Sequence, residues 1–396
     1  MHGVFSTMMD FHANGRPKIA SLDGMRGLAV LLVLLVHYSV AWTLLFPQAA
    51  NEATFTRLMA DVAFSLGNAG VDLFMVMSGY LIYDHLMIKP QPFPVYFGRR
   101  VRRIFPTYLV VLAIYVVLML IQPEKSKLPH DPIEAIIYII QCALLIPIFF
   151  GKEPIVGIAW SLTYEILFYL ALPFLIYVTG MRYRNWSTRI AILASIAVII
   201  SCITYAAEAH ERIIMFVGGM LARESLVGRS YRFSRPRLME GAALLIFVIS
   251  IGTIAYWRGP SSFVYPEYPE ALGRSYLLFI GFSTLLLATL GTDGICRRIF
   301  EWVPLGLIGE ISFSFYLTHN LTMRIVIGFL LPHVSSSIAE MFFWLALPFT
   351  FVLCLIPGLA IYMLVERPLS LQRPAMISFK KPKKAEEDNI TAVSNP

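Results

Sequence analysis

Long apolar runs separated by short, arginine-rich connections dominate this sequence. Eleven runs can be marked, at about 27–46, 70–88, 106–121, 133–150, 160–178, 190–206, 211–225, 240–257, 274–291, 308–331 and 341–365. Several approach the ~20 residues that a helix needs to cross ~30 Å of hydrocarbon. A helix satisfies its backbone amides internally, which lipid demands. The pattern therefore predicts an all-α, polytopic transmembrane helical bundle. No repeat of fixed period is visible, and no extended soluble domain interrupts the runs. The expected organisation is a cytoplasmic N-terminal segment (1–20), one transmembrane domain (21–370) and a cytoplasmic, partly disordered basic tail (371–396).

Charge refines the count. Arg16, Lys18 and Arg26 precede or open the first run, and Arg99, Arg100, Arg102 and Arg103 follow the second. Arg182, Arg184 and Arg189 lie between the fifth and sixth, and Arg223, Arg229, Arg232, Arg235 and Arg237 cluster further on. Lys380, Lys381, Lys383 and Lys384 mark the tail. Under the positive-inside rule these stretches face the cytoplasm. They agree only if one of the two runs between 122 and 189 does not span. The run 133–150, short and carrying Pro147, is the expected re-entrant or interfacial segment. About ten spans remain, with both termini cytoplasmic.

Composition agrees: 57% of the 396 residues are hydrophobic, 14% are charged, and the mean hydropathy is +0.68. The net charge of +7 sits in inter-span clusters. That is the signature of membrane orientation and a lipid bilayer, with no basic-aromatic module for nucleic acid. Cys142, Cys202, Cys296 and Cys354 form no C-x-x-C pair, so neither a metal site nor a disulfide framework is indicated. Phosphate-loop, zinc-protease, nucleophile-elbow and dinucleotide motifs are absent.

The informative residues are ionisable groups inside apolar runs, which are costly there and usually functional. His37 lies in the first run, 11 positions after Arg26. Eleven positions return to the same helix face, ~16 Å further along the axis. Asp23, three positions before Arg26, is within reach of an ion pair. In the second run Asp72 stands near the outer end, as a helix cap or a functional acid, with Ser78 deeper and Gly70 and Gly79 permitting close packing. The four arginines Arg99, Arg100, Arg102 and Arg103 set topology and meet lipid headgroups, or form a phosphate-binding patch. Pro106 then falls near the start of the next helix. Glu165 and His319 come out at depths similar to His37, so a His37–Glu165 contact is allowed and a shared polar cavity is expected. Glu366 and Arg367 close the last run, where an interfacial ion pair is expected.

These blocks are SLDGMRGLAVLLVLLVH, GVDLFMVMSGYLI, FGRRVRRIFPTY, AWSLTYEILFYLALP, GEISFSFYLTH and VERPL. In this order they resemble acyltransferase family 3, the bacterial multi-span acyltransferases of sugars, polysaccharides and some antibiotics. The resemblance runs from residue 21 to 369. It implies a cytoplasmic acyl-CoA donor, usually acetyl-CoA, and a hydroxyl acceptor of carbohydrate or glycosylated small-molecule type. By the same resemblance His37 is the essential histidine and Arg26 its partner. Arg99, Arg100, Arg102 and Arg103 become contacts for CoA phosphates, and Glu165 the acid of its block. Asp23, Asp72, Ser78, Tyr108, Trp160, Ser161 and His319 complete the candidate site as substrate or structural support.

The expected activity is thus membrane-embedded O-acyl transfer, with His37 as general base or as transient acyl carrier. The rival is a proton-coupled secondary transporter, with His37, Glu165 and His319 as its relay.

Overall fold

Apolar runs become helices wherever the chain is described, which in this computed structural model is residues 19–47, 49–52, 54–206, 210–227, 236–257, 268–330 and 338–371. The N-terminal residues 1–18, with Arg16 and Lys18, and the tail from 372 onward lie outside those described. So do Arg229, Arg232 and Arg235. Fourteen α-helices follow in order among the described residues. They are α1 (Ala20–Leu45), α2 (Phe55–Asn68), α3 (Gly70–Ile88), α4 (Phe93–Ile121), α5 (Pro132–Ala143), α6 (Trp160–Thr179), α7 (Trp186–Ala206), α8 (Ile214–Val227), α9 (Pro236–Trp257), α10 (Tyr268–Gly291), α11 (Ile295–Phe300), α12 (Val303–Glu310), α13 (Ser312–Leu330) and α14 (Ala339–Ile361). A π-helical stretch, Tyr362–Leu371, continues α14. No strand occurs among the described residues.

Seven stretches are long and apolar enough to cross a membrane by length and composition, against the ten expected. They support a multi-pass membrane protein and leave the higher count unconfirmed. One expected span is physically short: α8 has 14 residues, ~21 Å of helix, and is buried on nearly every side.

The run at 133–150 does not form a spanning helix. Its helix α5 has only 12 residues, ~18 Å. The chain then turns at Leu145, whose left-handed backbone (φ 59°) is strained for a branched side chain. Burial of the Leu145 side chain and a 2.7 Å hydrogen bond from Thr163 Oγ1 to its carbonyl hold that turn. Residues 144–159 fold back among the helices, with Ile155, Val156, Ile158 and Ala159 buried. The Tyr138 hydroxyl donates to the carbonyl of Glu153 and the Tyr316 hydroxyl to that of Ile158. Such donors are what non-helical backbone needs away from water.

The arginine block lies elsewhere than expected. It is inside a helix, because α4 begins at Phe93 and Pro106 sits within it. The amide that proline lacks would have bonded the carbonyl of residue 102, at an exposed arginine where that loss is tolerable.

Helix packing depends on glycine at several crossings, among them that of α3 with α8. A Cβ on Gly79 of α3 would overlap the carbonyl of Phe216 on α8, and one on Gly219 would overlap the carbonyl of Val76. The two backbones touch directly, as small residues permit in membrane helices. Gly70 likewise lies against Ala29 and Val33 of α1. A charged knot ties the far end of this pair. Glu224 accepts from Tyr83 Oη (2.8 Å), Arg223 Nη1 (2.9 Å) and Arg189 Nε (2.9 Å), and Arg223 reaches Asp84 at 3.0 Å. That knot, Arg26 and the Arg99–Arg103 block define an arginine-rich end of the bundle.

Candidate functional site

The site begins on α1. Its helical backbone presents the carbonyl of Val33 one turn before His37, and His37 Nδ1 lies 2.8 Å from it. The flanking Tyr38 and Trp42 donate to the carbonyls of Phe343 (2.7 Å) and Ala339 (2.9 Å), which pins α1 against α14. Across from His37 stands His319 of α13, fully buried, with Nδ1 2.7 Å from the carbonyl of Tyr316. The ring of His319 lies parallel to that of Phe315, 6.0 Å away. His319 Nε2 is 3.4 Å from His37 Nδ1, and the rings meet edge to face at 77°.

Carbonyl oxygens only accept, so both Nδ1 atoms carry the proton. His319 Nε2 then offers its lone pair to the His37 Nδ1–H, which is shared between it and Val33. What remains on His37 is a basic Nε2 with no hydrogen-bond partner among the described residues. His37 is half-buried rather than sealed, so that nitrogen is approachable.

Glu165 does not contact His37. It accepts from Ser78 Oγ at 3.2 Å and from Tyr169 Oη at 2.5 Å. The guanidinium of Arg100 lies 5.6 Å over the Tyr169 ring and 5.7 Å over that of Tyr96. The expected His37–Glu165 contact is not made, and His37 has a histidine as its neighbour instead. Tyr316 bridges the groups. Its hydroxyl is 2.9 Å from Ser161 Oγ, its ring is 5.9 Å from that of His319, and Glu165 and Arg212 are both within its electrostatic reach. The three members of a transporter-type relay are thus divided: two histidines touch, and the glutamate serves a separate tyrosine–arginine cluster.

The arginine block splits by helix face. Arg99 and Arg102 are exposed, whereas Arg100 and Arg103, three positions apart, turn inward. Arg103 reaches Glu366 at 3.2 Å and lies over Phe313. The expected interfacial pair at the end of the last span is therefore a buried one, made across the bundle. Glu366 also accepts from the backbone N–H (3.2 Å) and hydroxyl (2.5 Å) of Ser314, in the first turn of α13. A carboxylate there complements the helix dipole and anchors the helix that carries His319.

The remaining candidates are dispersed. Arg26 pairs with Asp23 at 3.2 Å, as expected, at the arginine-rich end of α1. It makes no contact with His37, because the shared face leaves three helical turns between them. Asp72 is no helix cap: Ala69 holds that position. Among the described residues neither oxygen of the buried Asp72 is hydrogen-bonded, and Arg212 pairs with it at 3.7 Å. Trp160 stacks on His210 at 4.4 Å. Burial and the neighbouring Arg212 push the His210 imidazole down to about 4. Tyr108 ties α4 to α5 through the carbonyl of Cys142 at 2.6 Å. Sequence reasoning passed over Tyr316, Tyr169, Tyr96, His210 and Arg212. Tyr169 was one helical turn after Glu165, and Tyr316 nearly one turn before His319, which are the available signals.

Comparison with known proteins identifies the family. The acyltransferase-3 family model, an acyltransferase domain, matches residues 19–363. The putative peptidoglycan O-acetyltransferase YrhL of Bacillus subtilis is 25% identical over 389 residues, covering 89% of this chain and 55% of that protein. The peptidoglycan O-acetyltransferase OatA of Listeria monocytogenes is 26% identical, covering 77% of this chain and 49% of its own length. The exopolysaccharide production protein ExoZ of Rhizobium meliloti is 26% identical, covering 77% and 90%. The chain thus spans about half the length of the first two. No solved structure matches. With the family model running from the start of α1 to the end of α14, the chain belongs to acyltransferase family 3.

Proposed function

We propose that this chain is a membrane O-acetyltransferase that moves an acyl group from acyl-CoA to a hydroxyl of a carbohydrate acceptor, with His37 Nε2 as the general base. The observation that carries this is the histidine pair. Two carbonyls fix both Nδ1 protons, so the nitrogen of the pair with no hydrogen-bond partner among the described residues is an approachable base inside an apolar helix.

Acyl-CoA enters at the arginine-rich end, which is the cytoplasmic face of the bacterial inner membrane. Arg99 and Arg102 are exposed there to meet its phosphates, and Arg100 lies deeper over Tyr96 and Tyr169. Arg26 supports the same end. Both termini are cytoplasmic, and the acceptor approaches from the opposite face. The names of the relatives, peptidoglycan O-acetyltransferase and exopolysaccharide production protein, support a polysaccharide-type acceptor.

The acceptor oxygen attacks the thioester carbonyl carbon while His37 Nε2 takes its proton. The new C–O bond forms, the C–S bond breaks, and the imidazolium returns the proton to the leaving CoA thiolate. His319 accepts from Nδ1–H throughout and holds the ring. Glu165 keeps Tyr169 and Ser78 in place beside Arg100 and makes no hydrogen bond to His37.

The test is acetyl transfer by purified protein in nanodiscs from labelled acetyl-CoA, with His37→Ala as control. Loss of transfer with intact folding supports the reading. Turnover indifferent to the substitution would overturn it. Labelled acyl-His37 trapped in acceptor-free single turnover would replace the general base by an acyl carrier.

A further inference from the structure

Between α1, α13 and α14 the bundle leaves an apolar cavity of about 20 Å³. Ala41 lines it from α1, one turn past His37, and Met323 lines it from α13, one turn past His319. Those four positions are ~6 Å of helix. Both helices start at the arginine-rich end, α1 beside Arg26 and α13 at the contacts of Ser314 with Glu366 and Arg103. The cavity therefore lies past the histidine pair, on the side away from that end. A helical Cα–Cβ bond tilts toward the helix N-terminus, so Ala41 and Met323 lean back toward the pair. Tyr38, next to His37 in the chain, is a wall as well, so the space begins at the depth of the pair.

The walls favour hydrocarbon over water. Tyr38 donates its hydroxyl to the carbonyl of Phe343, and Trp42 its indole N–H to that of Ala339, so both donors are already used. Thr350 adds one hydroxyl to otherwise apolar walls. A water needs two to four polar partners to settle, which this space does not supply, yet the volume admits about one methyl-sized group. Protein interiors are otherwise close-packed, so an unfilled apolar space beside two histidines calls for an occupant. Two of its walls are rigid, because Tyr38 and Trp42 are anchored through those hydrogen bonds. Met323, unbranched and flexible, is the adjustable one.

We infer that this cavity receives the methyl end of the donor's acyl group, and that Trp42 and Met323 set the acyl length, making acetyl the preferred group. This rests on the acyltransferase reading. With CoA held at the arginine-rich end, the acyl group leads, the thioester carbonyl stops at His37, and the methyl points past the pair into the cavity. A longer chain meets Trp42 and Met323 before its carbonyl reaches His37.

The test uses the full chain in phosphatidylcholine nanodiscs, with chitotriose as acceptor and CoA release from acetyl-, propionyl- and butyryl-CoA as the readout. In the wild type kcat/KM should fall roughly tenfold or more for each added methylene, the scale of one methylene in a filled apolar pocket. Met323→Ala should raise the butyryl-to-acetyl ratio about tenfold. Val326→Ala, which opens the same cavity from the same helix, should move it in the same direction. Leu193→Ala empties a buried position of α7 outside the cavity and should leave the ratio unchanged. A wild type that uses butyryl-CoA as well as acetyl-CoA overturns the inference. So does a ratio unmoved by both Met323→Ala and Val326→Ala, which would assign the cavity to packing or to a lipid chain. An equal rise in Leu193→Ala also overturns it, as a general loosening of the bundle. Equilibrium binding of acetyl-CoA and butyryl-CoA to the same four proteins separates the failures. An affinity ratio that responds to Met323→Ala without any CoA release overturns only the acyltransferase reading. CoA release with an unresponsive ratio overturns only the acyl pocket, and no binding of either acyl-CoA overturns both.

Discussion

His319 Nε2 faces His37 Nδ1 at 3.4 Å, joining residues 282 positions apart in the chain. Because His319 Nδ1 is held by the carbonyl of Tyr316, the contact has one polarity: His37 donates, and its Nε2 stays basic.

His319→Ala removes that acceptor and lets the His37 ring turn. Turnover is expected to fall roughly 10–100-fold with little change in the KM for acyl-CoA, whereas His37→Ala costs roughly 10²–10⁴-fold. His319→Asn, whose amide oxygen can accept from Nδ1–H, should recover part of the loss. Steady-state kinetics of the three variants, with folding checked by size-exclusion chromatography, decide the matter. Equal rates for His319→Ala and wild type would remove His319 from the site.

Glu165→Gln keeps a side chain of the same shape beside Ser78 and Tyr169 but removes the charge near Arg100. Turnover should fall about tenfold, a charge-assisted hydrogen bond's worth. The acid limb of the pH–rate profile, set by the base His37, should stay where it is, since no hydrogen bond joins the two residues. Movement of that limb by a full unit would restore the direct His37–Glu165 partnership.

The arginine block should divide by face. Arg99→Ala and Arg102→Ala are expected to raise the KM for acyl-CoA several-fold, more at low salt than at high, and to leave thermal stability unchanged. Arg103→Ala strands the buried carboxylate of Glu366 at the start of α13. Losing one partner of a buried pair costs roughly 3–5 kcal/mol, discounted to about 2 kcal/mol because Arg103 is one-third exposed. Thermal unfolding in detergent should therefore shift down for Arg103→Ala alone among these variants.

His210 supplies a pH dependence of stability. Its folded value is about 4, below the ordinary 6.5, so the unfolded chain binds the proton first as pH falls. Stability should be complete above pH 6.5 and be lost progressively toward pH 4, by up to about 3 kcal/mol. His210→Gln should flatten that decline in unfolding curves between pH 7 and 4. An unchanged slope would show that other groups carry it.

Gly79→Val tests the helix crossing. A branched side chain cannot fit against the carbonyl of Phe216, so α3 and α8 must part, at a cost of about 1–3 kcal/mol or more. Lower folded yield and faster proteolysis are expected, with Gly241→Ala, which meets open space, as the control.

Much of the molecule was legible residue by residue. Asp23 and Arg26 pair because three positions on a helix are neighbours wherever the helix lies. Loop charge indicated that one of two runs does not span, and shortness and Pro147 singled out 133–150, whose helix has only 12 residues. His37 stood out because an imidazole in an apolar run has a solvation cost that calls for an explanation. Its partner was not legible. Depth follows from counting 1.5 Å per residue, and Glu165 and His319 both passed that test. The count of ten spans stays unconfirmed for a related reason: apolarity also marks burial, and the 14-residue α8 is buried in protein on most of its surface.

By itself the sequence determined that the chain forms apolar helices, that one end of the bundle is rich in arginine, and that His37 is costly to keep in its helix. Those are one-dimensional properties of hydropathy, charge and helical period. Only the tertiary structure decided that His37 meets His319 while Glu165 meets Ser78 and Tyr169, that Arg103 turns in to Glu366 while Arg99 and Arg102 face out, and that residues 144–159 fold back among the helices. Those outcomes depend on the rotation of each helix about its own axis. That rotation is set where backbones touch, as at Gly79 and Gly219, by contacts between residues far apart in the chain.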